Sequence, residues 1–117
     1  ANHPSINWVR YPFREDHPQR DIAIDQMNAG GAIITASLNR DEGQTFNICK
    51  NLKYFTMAES LVGVESLVCH PATMTHASLS TTKKAHLGIN ESLVRFSIGC
   101  EDLSDLSEDL QYALDRF

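Results

Sequence analysis

Ser92-Leu93-Val94-Arg95-Phe96-Ser97-Ile98 is the stretch on which the fold turns. Successive side chains of a strand point to opposite faces, so Val94, Phe96 and Ile98 share one face while Leu93, Arg95 and Ser97 share the other. The stretch predicts a strand with one apolar face and a second face that carries a cation. An apolar strand face has to be covered by another element. The last sixteen residues supply a candidate: Leu103, Leu106, Leu110, Ala113, Leu114 and Phe117 fall on one helical stripe. Asp102, Asp105 and Glu108 gather at the positive N-terminal end of that helix.

Outward from this pair, Ile6 to Tyr11 is rich in β-formers and closed by Pro12, a strand leading into a loop from Phe13 to Pro18. Asp21 to Met27 predicts a short helix that ends before Gly30-Gly31, and Ala32 to Leu38 the next strand. Asp41 to Leu52 carries Phe46, Ile48, Cys49 and Leu52 at helical spacing, with Asp41 as N-cap. Tyr54 to Ala58 reads as extended, and Glu65 to Cys69 as a strand ended by Pro71, which withdraws a ladder donor. Residues 71–76 read as irregular, and Thr82 to Leu87 as a brief helix stopped by Gly88. Strands and helices do not alternate with the long crossovers of a doubly wound sheet. The expected class is therefore α+β, a small mostly antiparallel sheet covered by helices, forming one domain over residues 1–117.

Composition narrows the functions. Apolar residues make up 42% and charged residues 21%, the balance of a globular chain. Ten Lys+Arg against 15 Asp+Glu leave a formal charge of −5, which argues against a phosphate-backbone footprint and hence against nucleic acid. No apolar run approaches the roughly 20 residues that span a bilayer. Cys49, Cys69 and Cys100 lack C-x-x-C spacing, which suggests neither a disulfide framework nor a zinc knuckle and fits a reducing, cytoplasmic setting. The five histidines are scattered, and Cys69, His70 and His76 lack a fourth ligand at workable spacing, so no metal is expected. The opening Ala1-Asn2-His3-Pro4 carries neither an initiator methionine nor an apolar signal core and reads as a piece of a longer chain.

Several spaced motifs carry a resemblance. Glu59-Ser60-Leu61-Val62-Gly63-Val64-Glu65-Ser66-Leu67 is followed by His70-Pro71-Ala72-Thr73-Met74-Thr75-His76. Then come Gly88-Ile89, Leu93-Val94-Arg95-Phe96-Ser97-Ile98-Gly99 and Glu101-Asp102-Leu103. Upstream, Tyr11-Pro12, His17-Pro18-Gln19, Gln26-Met27 and Gly30-Gly31 keep the same order. From end to end the chain resembles the C-terminal domain of the cystathionine γ-synthase/γ-lyase family, the pyridoxal-phosphate-dependent transsulfuration enzymes of Cys/Met metabolism.

The resemblance implies the C-terminal, substrate-binding domain of a fold-type I pyridoxal-phosphate enzyme, an α/β protein as a whole. Its larger domain holds the cofactor on a lysine, and both that domain and an N-terminal arm lie outside this chain. It implies a parent that makes or breaks C–S bonds of cystathionine-type amino acids, γ-synthase or γ-lyase before β-lyase, as a homotetramer. In such enzymes the cofactor carries the electronic chemistry and the protein binds and orients. By resemblance, Arg95 holds the substrate α-carboxylate, which its planar donor fork matches. Ser60 lies beside that carboxylate, Thr75 near the lysine or cofactor, and Glu59 where cystathionine-using members carry a glutamate that could attract the second amino group. One departure stands out: the family pattern after the serine is Leu-Gly-Gly, and Val62 replaces the first glycine. If that position requires φ > 0, a β-branched residue there is strained.

The chain carries four lysines, Lys50, Lys53, Lys83 and Lys84, and none sits in a convincing Schiff-base motif. Ser80-Thr81-Thr82-Lys83 imitates the family's Ser-x-Thr-Lys but falls after the Met-Thr-His segment, and Lys53-Tyr54 echoes Lys-Tyr out of place. By itself the chain is expected to be inactive, with its own pyridoxal-phosphate domain as partner. The alternative is a stand-alone, non-catalytic module that binds amino acids or serves assembly.

Overall fold

In a computed structural model that describes residues 1–117, nine elements form two layers. The strands are β1 (Ile6–Arg10), β2 (Ile33–Leu38), β3 (Thr56–Met57), β4 (Leu67–Cys69) and β5 (Leu93–Ser97). The helices are α1 (Arg20–Gln26), α2 (Glu42–Lys50), α3 (Thr81–His86) and α4 (Leu103–Arg116). The strands make one sheet in the order β1-β2-β5-β4-β3, antiparallel except for the parallel pair β3 and β4. This is the expected α+β architecture, with β5 at the centre.

One face of the sheet carries the core. Ala36 and Leu38 of β2, Val68 of β4 and Val94 and Phe96 of β5 meet Ile48 and Cys49 of α2 and Leu106, Ala113 and Leu114 of α4. Phe55 stacks edge-on against Phe96, ring centroids 5.4 Å apart. On β1, Ile6 and Val9 both pack on this face although they are three residues apart, because the register shifts between Ile6 and Trp8. Such a bulge inserts one extra residue and re-aims the side chains beyond it.

Local chemistry fixes the helix ends. Asp41 and Gln44 form a reciprocal capping box at α2, Ser80 caps α3, and Asp102 caps α4. Gly88, with φ of +76°, follows α3 in a conformation that glycine adopts without strain. Two helical stripes differ from the expectation. In α2 the buried positions are Thr45, Ile48 and Cys49, with Leu52 just beyond, while Phe46 is 38% exposed and meets the His70 ring edge-on. In α4, Leu103 is 77% exposed and the inward stripe takes in Asp109 instead. No helix is long and apolar enough to cross a membrane.

Candidate functional site

The second face of the sheet carries no core helix. There Arg95 is flanked across the strands by Thr35 of β2 and Cys69 of β4, neither of which offers a carboxylate. Arg95 is half-buried. Its Nη2 donates to the backbone carbonyls of Glu59, at 3.2 Å, and Ser60, at 3.3 Å. No acidic side chain of the chain pairs with it, since the two ion pairs present are His3–Asp115 and Arg14–Asp16. A guanidinium offers five donors in a fixed fork, and here two carbonyls fix its orientation while Nε and Nη1 donate to no protein group. That is a charge aimed and left with capacity for an external carboxylate.

The 58–66 loop, between β3 and β4, brings Glu59 and Ser60 to Arg95. Its side chains bury little, with Val62 70% and Val64 76% exposed, so backbone hydrogen bonds hold it down. The Val62 N–H donates to Ser97 Oγ at 2.9 Å, and the Cys100 N–H to the Val64 carbonyl at 2.9 Å. At the end of the loop, Ser66 donates to the Glu101 carboxylate through its N–H at 2.7 Å and its hydroxyl at 2.8 Å, and Ser66 Oγ accepts from the Gly99 N–H. A Cβ on Gly99 would stand 2.5–2.6 Å from the backbone of Val64 to Ser66, so only glycine permits this approach. Ser66's hydrogen bonds hold the Glu101 carboxyl below the usual carboxylate range, the backbone N–H contributing most. Val62 has φ of +51°, so the glycine position of the motif keeps its left-handed backbone and the valine carries the strain.

Glu59, Ser60 and Arg95 are thus brought together, the first two through their main chains; the side chains of Glu59 and Ser60 are exposed. Thr75 is not joined to them by any hydrogen bond and instead meets His76 Nδ1 at 2.6 Å. His70 is fully buried between Thr73 Oγ1, 2.8 Å from Nδ1, and the Glu91 carbonyl, 2.7 Å from Nε2, and fastens the 70–76 segment to the start of β5. Ser66, Ser97, Gly99 and Glu101 belong to the motifs, and their work shows only in the folded chain. Their signal is a glycine two residues past the strand with an acid two residues further on.

The residues present do not fit a pyridoxal-phosphate site. Lys50, Lys53 and Lys83 are exposed, and Lys84 Nζ donates to the Ala72 carbonyl at 2.7 Å. The Ser80-Thr81-Thr82-Lys83 likeness is a helix cap, in which Ser80 Oγ accepts from the Lys83 N–H. No chemical step is assigned to a lysine of this chain. A cavity of about 710 Å³ lies between Trp8, Arg40, Lys84 and Asn90, and Arg95 does not line it. Arg95 stands half-buried on the sheet face away from the core, beside the buried Leu93, Ser97 and Cys69.

Known proteins share the sequence and the fold. The chain is 44% identical over 112 residues to a cystathionine beta-lyase of Coxiella burnetii, covering 96% of the chain and 29% of that protein. It is 41% identical over 114 residues to a cystathionine gamma-lyase of Dictyostelium discoideum, covering 97% of the chain and 30% of that protein. Among solved structures, cystathionine gamma synthase from Xanthomonas oryzae pv. oryzae in complex with cystathionine superimposes with a TM-score of 0.91 at 41% identity, over 98% of this chain and 30% of that one. The chain therefore spans less than a third of the length of these relatives. The model for the Cys/Met metabolism PLP-dependent enzymes matches residues 1–115, and the chain belongs to that family.

Proposed function

We propose that this chain is the C-terminal, substrate-binding part of a pyridoxal-phosphate-dependent enzyme that makes or breaks C–S bonds of cystathionine-type amino acids, a γ-synthase or γ-lyase, with Arg95 gripping the substrate α-carboxylate. One observation carries the reading: the Arg95 guanidinium is oriented by two carbonyls yet has no carboxylate partner within the chain. In this reading the exposed Glu59 and Ser60 side chains would extend the grip, and Thr75 would serve the cofactor-bearing domain. The guanidinium keeps donors that no group of this chain accepts, and the pyridoxal-phosphate domain of the same enzyme is the partner that completes the grip. Assembly into a homotetramer and a cytoplasmic setting complete the proposal; the latter is supported by three free thiols.

The experiment combines assembly with mutation. Alone, the purified chain is expected to be colourless and inactive; with its pyridoxal-phosphate domain it forms a yellow enzyme that turns over cystathionine. In that enzyme Arg95→Lys, which keeps the charge but loses the fork, is expected to raise KM roughly 10- to 100-fold, the equivalent of about 1.5–3 kcal/mol. An unchanged KM would remove Arg95 from the site. A colourless monomer that binds amino acids through Arg95 and never gains colour would make the chain a binding module instead.

A further inference from the structure

We infer that Glu101 is a positioning residue for the Arg95 grip, acting through Ser66 to fix the 58–66 loop whose Glu59 and Ser60 carbonyls aim the guanidinium. The inference rests on the reading of Arg95 as the carboxylate-binding residue and extends it to a side chain that meets neither Arg95 nor an incoming amino acid.

Three observations support it. First, Glu101 has no duty at the start of α4, because Asp102 is the N-cap and accepts the Ser104 N–H at 2.8 Å. Both Glu101 carboxylate oxygens are spent on Ser66. Second, the loop is held by polar contacts rather than by burial. Leu61, Val62 and Val64 are exposed, and the anchors are Val62 to Ser97, Val64 to Cys100 and Ser66 to Glu101 and Gly99. Releasing an anchor therefore lets the loop move without opening the core, which lies on the opposite sheet face. Third, the loop carries both carbonyls that orient Arg95, so any shift in the loop is passed directly to the guanidinium. Hydrogen bonds to a charged acceptor are short and about twice as strong as neutral ones, which suits a carboxylate to this task.

The test is kinetic and uses the assembled enzyme. Glu101→Ala is expected to raise KM for the amino-acid substrate about tenfold, as a small misplacement of a binding group does, while kcat changes by less than about twofold. Glu101→Gln, whose amide oxygen still accepts the Ser66 N–H, recovers most of the loss. In an Arg95→Lys background, Glu101→Ala then adds less than about twofold, because the grip it served is already gone. If Glu101→Ala leaves KM unchanged in an enzyme that Arg95→Lys impairs, the positioning role falls while the carboxylate reading stands. The same tenfold loss in both backgrounds also overturns it, as a general structural effect. If Arg95→Lys itself leaves KM unchanged, the reading of Arg95 fails and the inference fails with it. Should Glu101→Ala not yield folded enzyme, Ser66→Ala, which removes the hydroxyl bonds alone, must show the same KM effect in smaller measure and the same dependence on Arg95.

Discussion

The Asp109 carboxylate, 5% exposed on the inner side of α4, accepts the Lys53 N–H through both oxygens at 2.9 Å and the Tyr54 N–H at 2.8 Å. It joins the C-terminal helix to the turn that follows α2 by accepting two successive main-chain donors. Removing such an acceptor costs the pair's bond and the desolvation of the donors left behind. Asp109→Ala is expected to lower stability by about 3 kcal/mol, and Asp109→Asn, which keeps one acceptor oxygen, by about half as much. Urea unfolding measures both. Equal losses for the two variants would mean that the side chain acts by volume and not as an acceptor.

Asp109 also marks the limit of what the sequence discloses. Helical spacing is enough to place α4, and alternation enough to place β5 and to put Arg95 on the face away from the core. Asp109 shares the inward stripe with Leu106 and Ala113, but only the distant partners Lys53 and Tyr54 make its burial tolerable, and spacing does not display them. Leu103 departs from the stripe for a related reason: it is the first residue of α4 and 77% exposed. In α2, Thr45 holds the inward position one turn before Ile48 and Cys49, and an apolar count favours Phe46 over a hydroxyl. Likewise β4 begins at Leu67 and not at Glu65, because Ser66 is turned toward Glu101, thirty-five residues away. The site divides in the same way. Arg95 was legible from its motif and strand, whereas the loop that aims it is held by main-chain bonds between distant residues that no local pattern shows.

Val62 gives a prediction in the stabilising direction. With φ of +51° and its side chain mostly exposed, it bears the cost of a left-handed backbone without a packing reward. That cost is about 1–2 kcal/mol for an ordinary side chain, and glycine returns part of it, about 0.5–1 kcal/mol, as extra freedom of the unfolded chain. Val62→Gly is therefore expected to stabilise by about 0.5–1 kcal/mol, a rise in Tm of roughly 3 °C for a domain of this size. Calorimetry on the two proteins would show it. A fall in Tm would mean that the valine side chain contributes a contact outweighing its strain.

The three cysteines should separate by reactivity. Burial, with the neighbouring Cys69 as a smaller contribution, pushes the Cys49 thiol up to about 12, so at pH 8 only about one molecule in ten thousand carries the thiolate. Cys69 is buried as well, and Cys100 is exposed. A disulfide-exchange reagent is expected to titrate one thiol in the folded protein, at Cys100, and three in denaturant. Rapid native labelling at Cys49 would show that α2 leaves the sheet far more readily than its packing implies.

Acid should loosen the loop anchor before the core gives way. Ser66 holds the Glu101 carboxyl below its ordinary value of 4.5, and the hydroxyl and N–H of Ser104 hold Asp102 below 3.8. Asp115 is lowered by Gln111 and then His3, and Asp16 by Arg14. A carboxyl whose folded value is depressed contributes stability that is fully present above its unfolded value and is lost as pH falls through the folded one. All four act in that sense, so stability is expected to hold from neutrality down to about pH 5 and to decline below about 4.5. The Glu101→Gln variant isolates one share: its deficit against the native chain should be constant above about pH 5.5 and shrink as Glu101 protonates. Urea midpoints at half-unit steps of pH would trace both curves. A deficit that stayed constant down to pH 3 would show that Ser66 does not depend on the charge of Glu101, and that its hydroxyl and N–H are served equally by a neutral acceptor.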